Sequence, residues 1–161
     1  MFQQKSVVNL KTFLVINLSY FGDVLLTNSL CQAIKQEYPE SKVVFLVNKP
    51  FYEAAKYQKD VDDVLYFDKC GVHRGFLGLL KFILTCKYRN KIDTAFIMYA
   101  NDRGVLISFG LGAKERISSS SRISSIFLTK KSVEVADFVH TQDHNAAFIG
   151  AVTNKLPLLL L

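Results

Sequence analysis

Cysteine is scarce in this chain, and its spacing excludes two kinds of protein. The 161 residues hold Cys31, Cys70 and Cys86; an odd number with no C-x-x-C pair argues against a disulfide framework and a structural zinc site, and fits a reducing cytoplasm. Long apolar runs are also lacking. No stretch of about 18 uncharged apolar residues exists, so nothing reads as a bilayer span. The run from Phe76 to Cys86 is too short and contains Lys81. A secretory signal comes closer, because Lys5 and Lys11 precede the apolar stretch from Phe13 to Leu26. Asn17, Ser19 and Asp23 interrupt it, however, and it carries no small-x-small cleavage site. Glycine is too sparse around Gly22 for a dinucleotide fingerprint, and no glycine-lysine-hydroxyl ending marks a P-loop. No His, Cys and carboxylate cluster has metal-ligand spacing, no basic stripe interleaved with aromatics points to nucleic acid, and no internal repeat is visible.

What is present suits one well-buried domain: 50% hydrophobic and 21% charged residues. The formal net charge of +6 suggests an anionic partner, although cations spread over a solvated surface give the same total. The most informative stretch runs from Phe13 to Pro39. Phe13, Leu14, Val15, Ile16 and Leu18 form the nearly continuous apolar run of a parallel strand covered on both faces. Ser19 to Gly22 turn the chain. A helix is then predicted to start on Asp23 and run to Tyr38, with Leu26, Leu30, Ala33, Ile34 and Tyr38 inward and Pro39 closing it. Asp23 thus stands at a strand's carboxyl end, where open α/β sheets bind their ligands.

Strands and helices keep alternating. Strands are predicted at Val43 to Val47, Val64 to Phe67, Thr94 to Tyr99, Arg116 to Ser118 and Phe127 to Thr129. Helices are predicted at Phe51 to Tyr57, Gly75 to Tyr88, Gly104 to Leu111 and His140 to Asn154. In the second of these, Phe76, Leu79, Leu80, Ile83 and Leu84 are assigned to the core side, and in the last Ala147, Phe148 and Val152. The fold class that follows is α/β, a Rossmann-like, mainly parallel sheet with helices on both faces. SSSSRISS, from Ser118 to Ser125, reads as a surface loop, with a flexible active-site loop as the sharper alternative.

The segment NLSYFGDVLLTNSLCQAIKQEYPESKVVFLVNKPF resembles the opening of the family 9 glycosyltransferases, the lipopolysaccharide core heptosyltransferases and their relatives. It shares an apolar strand, a hydroxyl-bearing turn, the pair Gly22-Asp23, a helix ending in Tyr-Pro, and a second strand soon after. Weaker similarity continues through VDDVLYFDK, KYRNKIDTAFIMYANDRGVLISFGLGAKERIS and HTQDHNAAFIGAV. The resemblance implies the amino-terminal, acceptor-binding half of an inverting GT-B glycosyltransferase. Such an enzyme moves heptose or a related sugar from an ADP-activated donor to the lipopolysaccharide core and uses no cofactor beyond that donor. It further implies a cytoplasmic location that can include the inner face of the inner membrane. On this reading residues 1–155 are the acceptor domain. The apolar tail Leu156 to Leu161 would mark a truncation before a missing nucleotide-sugar domain.

By resemblance Asp23 is the general base that takes the acceptor hydroxyl's proton; an acid capping a helix is the plainer account of the same residue. Ser19 and Gly22 are candidates for binding the acceptor, and Tyr20 and Phe21 for stacking on a sugar, yet any strand-to-helix turn uses such residues. Asn101 and Arg103 follow the fourth predicted strand. Arg103 suits a phosphorylated core sugar, since guanidinium donors match phosphate oxygens in pairs, against a helix-capping Asn101 with a solvated arginine. His140 and Asn145 resemble the family's histidine-led helix start. Lys81, Lys87, Arg89 and Lys91 can face anionic lipid or simply complement a helix end. The alternative for the whole chain is a noncatalytic binding module of Rossmann-like or flavodoxin-like shape.

Overall fold

Strand and helix alternate along the chain to build one six-stranded sheet. The structure, a computed structural model, describes residues 10–99, 101–118, 126–131 and 141–153. The strands are β1 (Thr12–Asn17), β2 (Lys42–Asn48), β3 (Asp63–Phe67), β4 (Thr94–Ile97), β5 (Glu115–Ser118) and β6 (Lys130–Lys131). Their spatial order is β3-β2-β1-β4-β5-β6, with every neighbouring pair parallel. This is the doubly wound, Rossmann-like arrangement that the alternation predicts, and its order reverses between β1 and β4.

The two-residue period of the strands produces two cores. Phe13 and Val15 of β1, Val43, Phe45 and Val47 of β2, and Phe96 of β4 face one side. There they meet Leu30 and Ile34 of α2 (Asn28–Glu37), Ala55 of α3 (Tyr52–Lys56), Ala146 of α6 (Thr141–Ala147) and Ala151 of α7 (Gly150–Thr153). Leu14, Ile16, Val44, Leu46 and Ile97 face the other side, against Leu79 and Phe82 of α4 (Gly75–Thr85) and Val105 and Ile107 of α5 (Asp102–Gly110). Both faces of β1 are therefore sealed from water, which is why its sequence reads as a run and not as an alternation. Each large apolar side chain so buried stabilises the fold by about 1.5–3 kcal/mol. Gly104 brings α5 close. A Cβ there would stand 2.9 Å from Ile97 Cγ2 and 3.2 Å from Ile16 Cγ2, so a bare backbone lets the first turn of α5 lie directly on β1 and β4.

Several predicted elements shift. The helix expected from Asp23 to Tyr38 is two, α1 (Phe21–Leu26) and α2, and it begins at Phe21 and not on the acid. The break falls at Thr27, a buried residue whose hydroxyl accepts from Asn17 Nδ2 at 2.8 Å and donates to Asp23 O at 2.7 Å, competing with the helical ladder. In α4, Phe76, Leu80 and Leu84, assigned inward from the sequence, are exposed; Gly78, Leu79 and Phe82 are inside. A Cβ at position 78 would fall 2.3 Å from the His73 carbonyl carbon. Close approach of the backbone, and not hydrophobicity, selects the inner face of this nearly all-apolar helix.

No strand forms at Phe127 to Thr129, where one was expected: Phe127 lies in a single helical turn at 126–127, and the strand comes just after, as β6 at Lys130–Lys131. The last helix is divided into α6 and α7 by a turn at 148–149, where Phe148 and Ile149 are buried. Most of the serine-rich segment, His140 and the tail from Leu156 to Leu161 lie outside the described residues.

Candidate functional site

Two buried asparagines shape the turn after β1. Asn17, the last residue of that strand, donates from Nδ2 to Thr27 and accepts from the Ser19 backbone N–H through Oδ1 at 2.9 Å. Asn48, the last residue of β2, donates from Nδ2 to Leu18 O at 2.8 Å. The turn so fixed presents Ser19, whose Oγ donates to Asp23 Oδ2 at 2.7 Å.

Asp23 is half-buried in the first turn of α1, three residues beyond the Tyr20 N-cap. Its surroundings differ from those of the acids at the sheet's amino edge. Asp62 accepts from the Val43 N–H at 2.7 Å and pairs with Lys35, Asp93 accepts from the Thr12 N–H at 2.9 Å and pairs with Lys114, and Asp63 is held by Tyr88 and Lys87. Those carboxylates are engaged in holding the fold. Among the described residues no lysine or arginine pairs with Asp23, which is approached by hydroxyl groups instead.

The second of these is Tyr99. Burial pushes its phenol pKa up, Asn145 offsets part of that, and the nearby Asp23 charge adds to it, so the phenol stays protonated beside the carboxylate. Neither Tyr99 Oη nor Asn145 Nδ2 completes a hydrogen bond of full geometry. With φ at 53°, Tyr99 is in the left-handed region that aromatic residues rarely adopt. It lies between β4 and α5, at the reversal of strand order.

At that reversal opens a pocket of about 460 Å³, walled by Ser19 and Tyr20 from β1's end, by Tyr99, Asn101 and Arg103 from β4's end, and by Lys69 from the loop after β3. Asn101 caps α5, its Oδ1 accepting from the Gly104 N–H at 3.2 Å, so the capping account holds for it while it also lines the pocket. Arg103 is seated over the Phe67 ring, 5.6 Å from the centroid, which gives it a fixed platform unlike a freely solvated arginine. Gly22 is exposed, has nothing within 4 Å of the place a Cβ would take, and is not part of the pocket wall. The structure thus gathers Ser19, Asn101 and Arg103 around one pocket and seats Asp23 behind Ser19.

Lys69 and Tyr99 escape a reading of the sequence. Lys69 could have been found by the rule that found Asp23, since it follows a strand's carboxyl end just as Ser19 does. Its loop is held by Asp68, which accepts from Lys49 Nζ at 2.8 Å and from the Gly71 N–H at 2.9 Å, and by His73 Nδ1, which accepts from the Asp68 N–H at 2.9 Å. Burial holds the His73 ring below its ordinary pKa of 6.5. The unfolded chain therefore binds a proton more readily than the folded one as pH falls. The stabilisation is complete above the unfolded value and is lost as pH drops through the folded one. Thermal melting is expected to shift down by roughly 1–3 °C between about pH 7 and about pH 5.5, a slope that His73→Phe should abolish. An equal slope in both proteins would show that His73 does not control the loop.

No protein-family sequence model matches the chain, and no curated protein sequence does. Solved structures do match it. A glycosyl transferase family 9 protein from Veillonella parvula superposes with a TM-score of 0.76 at 21% identity, covering 89% of this chain and 41% of its own. The E. coli heptosyltransferase WaaC with ADP-2-deoxy-2-fluoro heptose gives 0.71 at 15%, covering 91% and 50%. E. coli ADP-heptose lipopolysaccharide heptosyltransferase II gives 0.67 at 14%, covering 85% and 39%. This chain spans half or less of the length of each. What it shares with them is a fold, that of the amino-terminal region of the heptosyltransferases.

Proposed function

We propose that the chain forms the acceptor-binding half of an inverting glycosyltransferase, one that moves heptose or a related sugar from an ADP-activated donor to the lipopolysaccharide core. The observation that carries this reading is the Ser19–Asp23 hydrogen bond behind a pocket at the switch point, with Lys69 and Arg103 on its wall. Asp23 accepts the proton of the acceptor hydroxyl as that oxygen attacks the sugar's anomeric carbon, and the bond from that carbon to the diphosphate oxygen breaks. Attack from the face opposite the leaving ADP inverts the centre. Ser19 orients the carboxylate, and Tyr99 offers it a neutral donor. Lys69 and Arg103 hold anionic groups of the acceptor. In this reading the donor site belongs to the other half of the enzyme, the part of the heptosyltransferase structures outside the matched region. The likeness to heptosyltransferase structures supports donor and acceptor class alike.

Titration with core oligosaccharide tests the acceptor role. Arg103→Ala is expected to weaken binding of a phosphorylated core about tenfold and of the dephosphorylated core much less, because the lost contacts are charge-assisted. ADP-heptose should show no micromolar affinity for the chain alone. Equal losses for the two cores would reduce Arg103 to a surface residue, and tight donor binding would reassign the domain.

A further inference from the structure

The outer face of α4 is apolar where a surface helix is ordinarily polar. Phe76, Leu77, Leu80 and Leu84 are 76%, 79%, 41% and 53% exposed. With exposed Lys81 they fall at positions i, i+1, i+4, i+8 and i+5, which is one side of the helix, opposite Gly78, Leu79 and Phe82. The loop leading into α4 adds Val72, exposed as well. From Lys69 to Lys91 the sequence carries six lysines and arginines and no aspartate or glutamate. Lys87 pairs with Asp63. Lys69, Arg74, Lys81, Arg89 and Lys91 are exposed and form no ion pair among the described residues.

We propose that α4 and the loop before it are a docking surface for an anionic lipid bilayer. Phe76, Leu77, Leu80 and Leu84 enter the boundary between headgroups and acyl chains, and the surrounding cations meet lipid phosphates. The one-signed charge around the apolar face decides between a bilayer and a protein partner. Lys81 borders the apolar face beside Leu77, and the segment from Lys69 to Lys91 adds four more cations that form no ion pair among the described residues and contains no acid, which matches a uniformly anionic surface and not the mixed charges of a protein partner. At a bilayer surface the same lysine extends its charge to the headgroups while its stem lies among the leucines. None of the helices among the described residues is long and apolar enough to cross a membrane, so α4 lies in the interface plane. Lys69 opens the same loop and lines the pocket. Docking therefore sets the pocket beside the headgroups, where an anionic, lipid-linked acceptor is presented. That consequence rests on the proposed function; the docking itself does not.

The full chain is to be co-sedimented with vesicles of phosphatidylcholine alone and of phosphatidylcholine mixed with phosphatidylglycerol. Partition is expected to favour the anionic vesicles by about tenfold or more and to weaken in high salt. The double variant Phe76→Ser, Leu77→Ser should lose about tenfold in partition to the anionic vesicles, and Lys81→Gln about fivefold, with circular dichroism and melting unchanged because these side chains are exposed. Absence of vesicle binding, or binding undiminished in the double variant, would overturn the proposal. A dimer that the double variant dissociates, without vesicle binding in the parent, would assign the face to a second copy of the chain. The assay reads no sugar transfer, so its failure leaves the glycosyltransferase reading intact.

Discussion

Asp23→Asn is expected to lower the rate of sugar transfer about 100-fold or more, measured in a chimera that joins this chain to the carboxyl-terminal half of a heptosyltransferase. The amide keeps the shape of the side chain and can still accept from Ser19 Oγ, which lies 2.7 Å from Oδ2. It cannot take a proton. The loss should therefore fall on kcat, with acceptor KM and melting temperature nearly unchanged. The environment makes this a clean test. Asp62 and Asp93 each hold a backbone N–H and a lysine, so their replacement would disturb the sheet, whereas Asp23 has no ion pair among the described residues. Comparable rates in parent and variant would remove the base and favour the noncatalytic binding module.

The position of that acid was legible because it depends on local order alone: an apolar run, a turn, then a helix. The strands β1, β2 and β4 were legible for the same reason, their apolar side chains being sealed on both faces of the sheet, and β3, at the sheet edge with Tyr66 exposed, was legible from its short apolar run. What was not legible depends on the third dimension. The direction α4 faces turns on the contact of Gly78 with the His73 backbone, a contact invisible to a count of leucines. Tyr99 matters through a backbone angle and a buried phenol, neither of which an isolated tyrosine announces. Lys69 reaches the pocket from β3, two strands away from β1 in the sheet. Asn17 registered only as a polar interruption of an apolar stretch, although it ties the turn to the helix break.

That tie makes Asn17 a polar residue whose loss should cost much stability without touching a ligand. Asn17 is fully buried. Its Oδ1 satisfies the Ser19 N–H, and its Nδ2 is the donor to Thr27 Oγ1, which itself donates to Asp23 O. Asn17→Ala leaves the Ser19 amide without its partner at a part-buried turn and strips Thr27 of its donor. At about 1–3 kcal/mol for each group left unsatisfied, the expected total is roughly 2–6 kcal/mol, a large share of the 5–15 kcal/mol typical of a domain. Urea denaturation should show it as a lower midpoint with an unchanged slope. Asn48→Ala removes one donor, which reaches Leu18 O at 2.8 Å and Ser19 O at 3.4 Å in the half-buried turn, and leaves no backbone N–H without its partner, so it is expected to cost about 1 kcal/mol. The ratio between the two is the informative quantity. A loss at Asn17 no larger than that at Asn48 would mean that the turn carrying Ser19 is held from β2, and that α1 keeps its place without Thr27 being tied to β1.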